Sequence, residues 1–219
     1  MADWQDIQES IRNCPICKQM ENTFFSPFKG NWPSLPQPSL KAILFISEAP
    51  PKDGGFWTIQ TLNAKQDDLR EKLLPLLQIS SSGTDRGIKE FCDSGYYLLQ
   101  TFPRPLKIRI GSIPTEKLKI LLDHPVNTHL LRQITFFQPS AILALGKPAS
   151  LAISMLFPQS SFAISFQNGG LTSVRGEVFK DPQIPILSAT YLPSGNGRFW
   201  QRFWEKDVPQ FVRKVRSLK

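Results

Sequence analysis

AILFISEAPPKDGGF, residues 42–56, is the stretch that decides the fold. Its first five residues, Ala42 to Ile46, run without a polar interruption, as does a strand buried on both faces of a parallel sheet. The run breaks at Ser47-Glu48-Ala49-Pro50-Pro51. Two prolines fix φ and remove ladder donors there, so the strand cannot continue. Asp53-Gly54-Gly55 follows, and its glycines permit backbone shapes that bulkier residues resist. Open α/β sheets place their ligands against such loops, at the carboxyl ends of central strands. The same residues also read as an ordinary strand-to-helix turn carrying one solvated glutamate.

Working outward, three more buried strands are expected at Tyr96–Phe102, Ser140–Leu145 and Ile184–Tyr191. Helical spacing connects them. Thr58–Ile79 carries a leucine stripe interrupted by Pro75, and Gly87–Cys92 is brief. Pro114–Phe137 is long, with a break signalled at Asp123-His124-Pro125, and Ala149–Leu156 is short. Phe162–Phe179 reads as less regular β structure with a turn at Asn168-Gly169-Gly170, and Phe199–Leu218 as a basic closing helix kinked near Pro209. Upstream, Trp4, Ile7 and Ile11 mark a helix over Asp3–Arg12, and the Pro-, Phe- and Trp-rich Phe24–Ser39 reads as an extended loop that packs down. Strands alternating with helices predict an α/β fold: a three-layer α/β/α sandwich on a mostly parallel four-stranded central sheet. No boundary or internal repeat interrupts it. Residues 1–219 therefore read as a single domain, with the helix and loop of residues 1–40 packed on it.

Composition narrows the function. A formal charge of +8 favours a polyanionic partner, most often nucleic acid. No apolar run approaches the ~20 residues of a membrane span. The opening MADWQDIQES has acids and no apolar core, so no secretory signal is expected. Three cysteines, an odd number, argue against a disulfide framework and for a reducing cytoplasm.

Cys14-Pro15-Ile16-Cys17 has the spacing with which two thiolates grip one metal, and a closed structural site needs four ligands. Cys92 is the remaining thiol, with His124 or His129 as a further donor. One reading is an iron–sulfur or zinc staple; the other is a pair of reduced thiols near a helix end. Taken singly, each histidine reads as a surface residue rather than a ligand.

The four strand-end loops read SEAPPKDGGFW, QTFPRP, LGKPA and TYLPSGNGR. In that order they resemble the uracil-DNA glycosylase superfamily, most closely its iron–sulfur branch, over residues 14 to about 200. Ser47-Glu48-Ala49-Pro50-Pro51 stands where that branch has G-E-A-P-G, Ala144–Ala149 matches a-L-G-x-x-A, and Thr190-Tyr191-Leu192-Pro193-Ser194 replaces T-Y-H-P-S. The resemblance implies hydrolysis of the N-glycosidic bond of uracil or a related deaminated base, flipped out of DNA; a monomer is expected because the fold's cleft needs no partner. Glu48 would orient water and stabilise the sugar cation, with Asp53 in reserve. Ser47, Ala49, Phe56 and Gln100 would bind the base, Phe56 by stacking and Gln100 by reading its edge. Lys147, Pro193, Ser194, Asn196 and Arg198 would meet the DNA backbone and minor groove. No cofactor is required for the chemistry.

The departures bear on activity. Leu192 takes the place of a histidine that stabilises charge on the leaving base, and losing one such donor can cost ~3–4 kcal/mol of transition-state stabilisation. Ser47 and Pro51 replace both loop glycines, Gln100 falls near a pyrimidine-reading asparagine, and Cys92 precedes the strand that the family's later cluster cysteines follow. An intact four-cysteine cluster is impossible with three cysteines. Three functions remain open: a DNA glycosylase, a catalytically silent DNA- or base-binding protein of that fold, and a small α/β enzyme acting on a phosphorylated metabolite.

Overall fold

The computed structural model describes residues 3–29, 32–33, 35–58, 68–79, 85–108, 110, 113–160, 163, 178–180, 184–189 and 203–217. The strand expected from the opening stretch is β1 (Ile43–Ser47), and it lies inside the sheet. β2 (Tyr96–Gln100) and β3 (Ala141–Leu145) flank it in parallel, with Phe45 opposite both Leu98 and Leu143. β5 (Pro185–Ala189) extends the parallel set beyond β3, and β4 (Val178–Lys180) closes that edge antiparallel, giving the order β2-β1-β3-β5-β4. The expected four-stranded parallel sheet is thus present, with one short strand added at its edge.

Every residue of β1 and β3 is buried, which requires cover on both faces. Alternation sorts the side chains. Phe45 and Tyr96 point to one face, where both rings meet Phe91 of α4 (Asp85–Asp93) and Arg216 of α8 (Val208–Arg216) lies over Tyr96. Tyr97 points to the other face. It meets Trp4 of α1 (Trp4–Arg12) and Phe137 of α6 (Leu131–Phe137). α7 (Lys147–Leu156) packs on β3 and against α5 (Thr115–His124). The layers are therefore helix, sheet, helix. α3 (Asp68–Leu76) ends the connection from β1 towards α4, and Pro75 sits in its last turn. Among the described residues, no helix is long and apolar enough to cross a membrane.

β2 is an edge strand, and its backbone is not left bare. The Trp57 indole N–H donates to the carbonyl of Leu98 at 3.2 Å, occupying an acceptor that a foreign strand would otherwise find. The pairing of β1 with β2 also continues past the sheet. Thr101 N–H donates to the Ser47 carbonyl at 2.8 Å and Phe102 N–H to the Glu48 carbonyl at 2.9 Å. The loop after β1 is thereby fastened to the loop after β2. The aromatic segment after residue 23 packs down as expected. Ser26 N–H donates to the Pro105 carbonyl at 2.7 Å and Lys107 N–H to the Phe24 carbonyl at 3.0 Å.

Leu143 is wholly buried at the middle of β3. Leu143→Ala is expected to destabilise the protein by about 2–5 kcal/mol through lost burial and an unfilled cavity. Urea unfolding measures it; a midpoint equal to wild type would contradict the central place given to this strand.

Candidate metal centre and adjoining cleft

α1 ends at Arg12, and the chain turns through Asn13 into α2 (Pro15–Gln19), a single short turn begun by proline at its first position. Cys14 caps this turn. Its sulfur accepts from Cys17 N–H at 3.4 Å, so both sulfurs are held on one side. Far along the chain, α5 runs without a stop into a π-helical turn, Pro125–Leu130, and then into α6. Leu131 N–H reaches back to the carbonyl of Val126, five residues away. That extra residue per turn matters, because residues five apart diverge on an α-helix and converge across a π-turn. It brings His124 and His129 to one side.

The four residues meet. His124 Nε2 stands 3.2 Å from Cys14 Sγ, and His129 Nε2 stands 3.4 Å from Cys17 Sγ. All four donor atoms lie within 4.8 Å of one another. Two ligands of a single tetrahedral zinc, at about 2.3 Å for sulfur and about 2.0 Å for nitrogen, stand about 3.5 Å apart. The donor set and its spacing thus fit a metal ion. Their protonation is informative too. Burial, then the Cys14 sulfur beside it, pushes the Cys17 thiol up to about 12. Burial, then neighbouring His124, pulls His129 down to about 4, which keeps its imidazole neutral as a ligand requires. Thr128 Oγ1 contacts His124 Nδ1 at 3.3 Å and orients that ring from behind.

Cys92, expected as the third ligand, is not in this group. It is buried on α4, the helix that covers the Tyr96 face of the sheet, whereas the histidine helix leads to Phe137 on the Tyr97 face. Burial, then Asp93, pushes its thiol up to about 12. His124 and His129, which taken singly read as surface residues, supply the remaining donors instead. The signal was present as H-x-x-x-x-H, but it acquires meaning only with the π-turn.

Beside the centre is a small solvent-open cleft. It sits at the carboxyl edge of the parallel strands, where Gln100 ends β2 and Pro50 and Gly54 follow β1. Phe28, Trp32 and Trp57 supply aromatic walls, while Gln8, Gln133 and His129 add polar groups. Phe28 and Trp32 rings meet edge to face at 4.8 Å. Behind Trp32 lies the guanidinium of Arg104, 5.1 Å from the ring centre, paired with Glu21 and donating to the Arg12 carbonyl at 2.8 Å. Arg104 is only 5% exposed, so this cation braces the wall from within. Gly54 adopts φ +87°, and a Cβ there would fall 1.9 Å from Thr58 Oγ1, so both conformation and space demand glycine at the cleft rim.

The candidate residues divide around this cleft. Gln100 lines it. Glu48 lies two residues before Pro50, half-buried, and burial raises its carboxyl above the ordinary 4.5. Ser47 is buried, with its hydroxyl 3.5 Å from the Leu99 carbonyl, and Ala49 is half-buried. Asp53 is exposed. Phe56 is 2% exposed, packed against Trp57 and Phe91 in the core, so the aromatic surface offered to the cleft is Trp57 rather than Phe56. Lys147 donates to the Ile113 carbonyl at 2.9 Å. Pro193, Ser194, Asn196 and Arg198, with Leu192, lie outside the described residues.

Because the Cys17 thiol holds its proton well above neutral pH, metal binding must release it, and affinity must rise with pH. Titration with zinc in two buffers of different ionisation heat should therefore show net proton release. Cys17→Ser and His124→Ala should each lower the Tm of the zinc-loaded protein by about 5 °C or more. Equal melting with and without chelator would contradict the centre. Compared with protein-family models and with curated proteins, the sequence matches none.

Proposed function

We propose that the protein is a DNA glycosylase that hydrolyses the N-glycosidic bond of uracil or a related deaminated base, stapled by a single zinc ion. One observation carries this reading: a cleft with aromatic walls and glutamine amides, set at the carboxyl edge of a parallel sheet, with a half-buried glutamate two residues before its Pro50 rim. Aromatic faces accept planar bases, and amides read their edges. A chain of formal charge +8 suits a DNA partner. The first-loop motif and the order of the later loops support the same reading.

Zinc is favoured over an iron–sulfur cluster on two grounds. The donors are two thiolates and two imidazoles, the set that closes structural zinc sites. They also converge within 4.8 Å, as around one ion, whereas a cluster interposes several atoms between its outer ligands. When bound, the ion supplies cross-linking between α2 and the π-turn.

The chemistry belongs to the chain's own side chains. A base extruded from DNA enters the cleft between Trp32 and Trp57, and Gln100 hydrogen-bonds its edge. The C1′–N bond breaks, its electron pair leaving with the base. The ionised Glu48 carboxylate stabilises the cationic sugar and orients a water, whose oxygen bonds C1′ as its proton passes to Glu48 and then to solvent. The second reading, a protein that binds such DNA without cleaving it, rests on Leu192, which offers no hydrogen bond to the leaving base.

Glu48→Gln is expected to lower base release from a uracil-containing oligonucleotide by about 10²–10⁴-fold while salt-sensitive DNA binding persists. Because burial raises the Glu48 carboxyl, the acid limb of the wild-type rate should fall at a pH above the ordinary 4.5 and vanish in the variant. Stability should move oppositely. The folded state binds the proton more tightly, so wild type loses stability as pH rises from 4.5 through the raised value. Glu48→Gln escapes that loss and should melt higher at neutral pH. Tight binding with no base release at any deaminated base would establish the second reading.

A further inference from the structure

We infer that the metal centre is part of the base pocket: His129, held by the metal through Nε2, presents its Nδ1–H to a carbonyl oxygen of the bound base, with Gln133 beside it. This inference rests on the glycosylase reading and names the group that takes over the donor role Leu192 cannot fill.

Four observations carry it. His129 is 4% exposed and lines the cleft. Its Nε2 faces Cys17 Sγ at 3.4 Å, whereas its Nδ1 is buried with no hydrogen-bond partner. A neutral imidazole that gives Nε2 to a metal must carry its proton on Nδ1, so this atom is a donor lacking an acceptor. His124 differs, because its Nδ1 meets Thr128 Oγ1. Metal-bound histidines ordinarily spend that second N–H on an oxygen, and a buried one left idle points to an oxygen that arrives with a ligand.

Gln133 stands one turn beyond His129, 7% exposed and lining the same cleft. Gln8 Nε2, also buried without a partner, belongs to a third residue of that lining. Two buried donors without partners, on residues that line one neutral, aromatic-walled cleft, would suit a planar heterocycle that presents carbonyl oxygens. Gln100, in the same lining, has an amide oxygen that can accept from a ring N–H. A 2,4-dioxopyrimidine offers that combination of acceptors and donor, whereas an unsubstituted pyrimidine has ring nitrogens that accept but neither a carbonyl oxygen nor a ring N–H. The metal fixes the tautomer and heading of His129, making that residue a binding donor rather than only a ligand.

The experiment uses full-length protein loaded with cobalt or zinc, and reads uracil binding from quenching of the tryptophans in the cleft. His129→Cys keeps a thiolate for the metal and removes the Nδ1–H. It is expected to bind cobalt with a four-coordinate spectrum yet hold uracil at least about tenfold more weakly. Gln133→Leu, which removes no metal ligand, should weaken uracil similarly with the cobalt spectrum unchanged. Unsubstituted pyrimidine should bind wild type no better than it binds either variant. In zinc-loaded wild type, the His129 Nδ1–H proton resonance should sharpen and shift on adding uracil. If His129→Cys fails to load metal, that resonance and Gln133→Leu decide the matter. Uracil bound equally by wild type, a metal-loaded His129→Cys and Gln133→Leu, with an unmoved resonance, overturns the inference; base release by wild type would then leave the glycosylase reading standing. Loaded wild type that binds no uracil also overturns it, and the oligonucleotide assay then judges the glycosylase reading separately.

Discussion

Burying five consecutive residues of β1 on both faces, between two parallel neighbours, constrains nearly everything else in the molecule. A strand in that position cannot be joined to either neighbour by a hairpin, so each connection must cross over and carry a helix. The chain leaves β1 for β2 on one side and later returns past it to β3 on the other. Crossovers of one hand then deposit their helices on opposite faces, as the separate surroundings of Tyr96 and Tyr97 record. The carboxyl ends align along one edge, and the residues after them, Pro50, Gly54 and Gln100, become a cleft rim through topology rather than mutual affinity.

The second constraint is electrostatic. Two thiolates and two neutral imidazoles around a divalent ion carry no net charge, so a filled centre can be buried without a stranded charge. Arg104 needs more help, and it receives it from the Glu21 carboxylate, the Arg12 carbonyl and the face of Trp32. Glu21 and Arg12 flank the cysteine turn, while Trp32 lines the cleft. Cysteine turn and aromatic wall thus share one buried cation.

Much of the scaffold was legible because buried parallel strands announce themselves. The runs at 42–46 and 140–145 each lie within one residue of the observed strands. The added edge strand at 178–180 was visible only as irregular β character, since three residues carry too little pattern to fix a partner. The site was less legible for a local reason. Sequence periodicity over 114–137 speaks of an α-helix, in which His124 and His129 face apart. The π-turn that unites them leaves no periodic trace, so Cys92 looked the better ligand by chemistry alone. Phe56 illustrates the converse. Its place after the first loop matched a stacking residue, yet ring packing with Trp57 and Phe91 draws it into the core.

The contact between Cys17 and His129 spans 112 positions of the chain. During synthesis the two thiols of the cysteine turn emerge long before either histidine, and β1 and β2 are made in the interval. The two halves of the site can therefore meet only after the residues of β1 and β2 have been made. For that period the nascent chain holds a vicinal dithiol open to oxidation or to capture of a stray soft metal. A filled centre would therefore depend on those two thiols staying reduced until the histidines have been made.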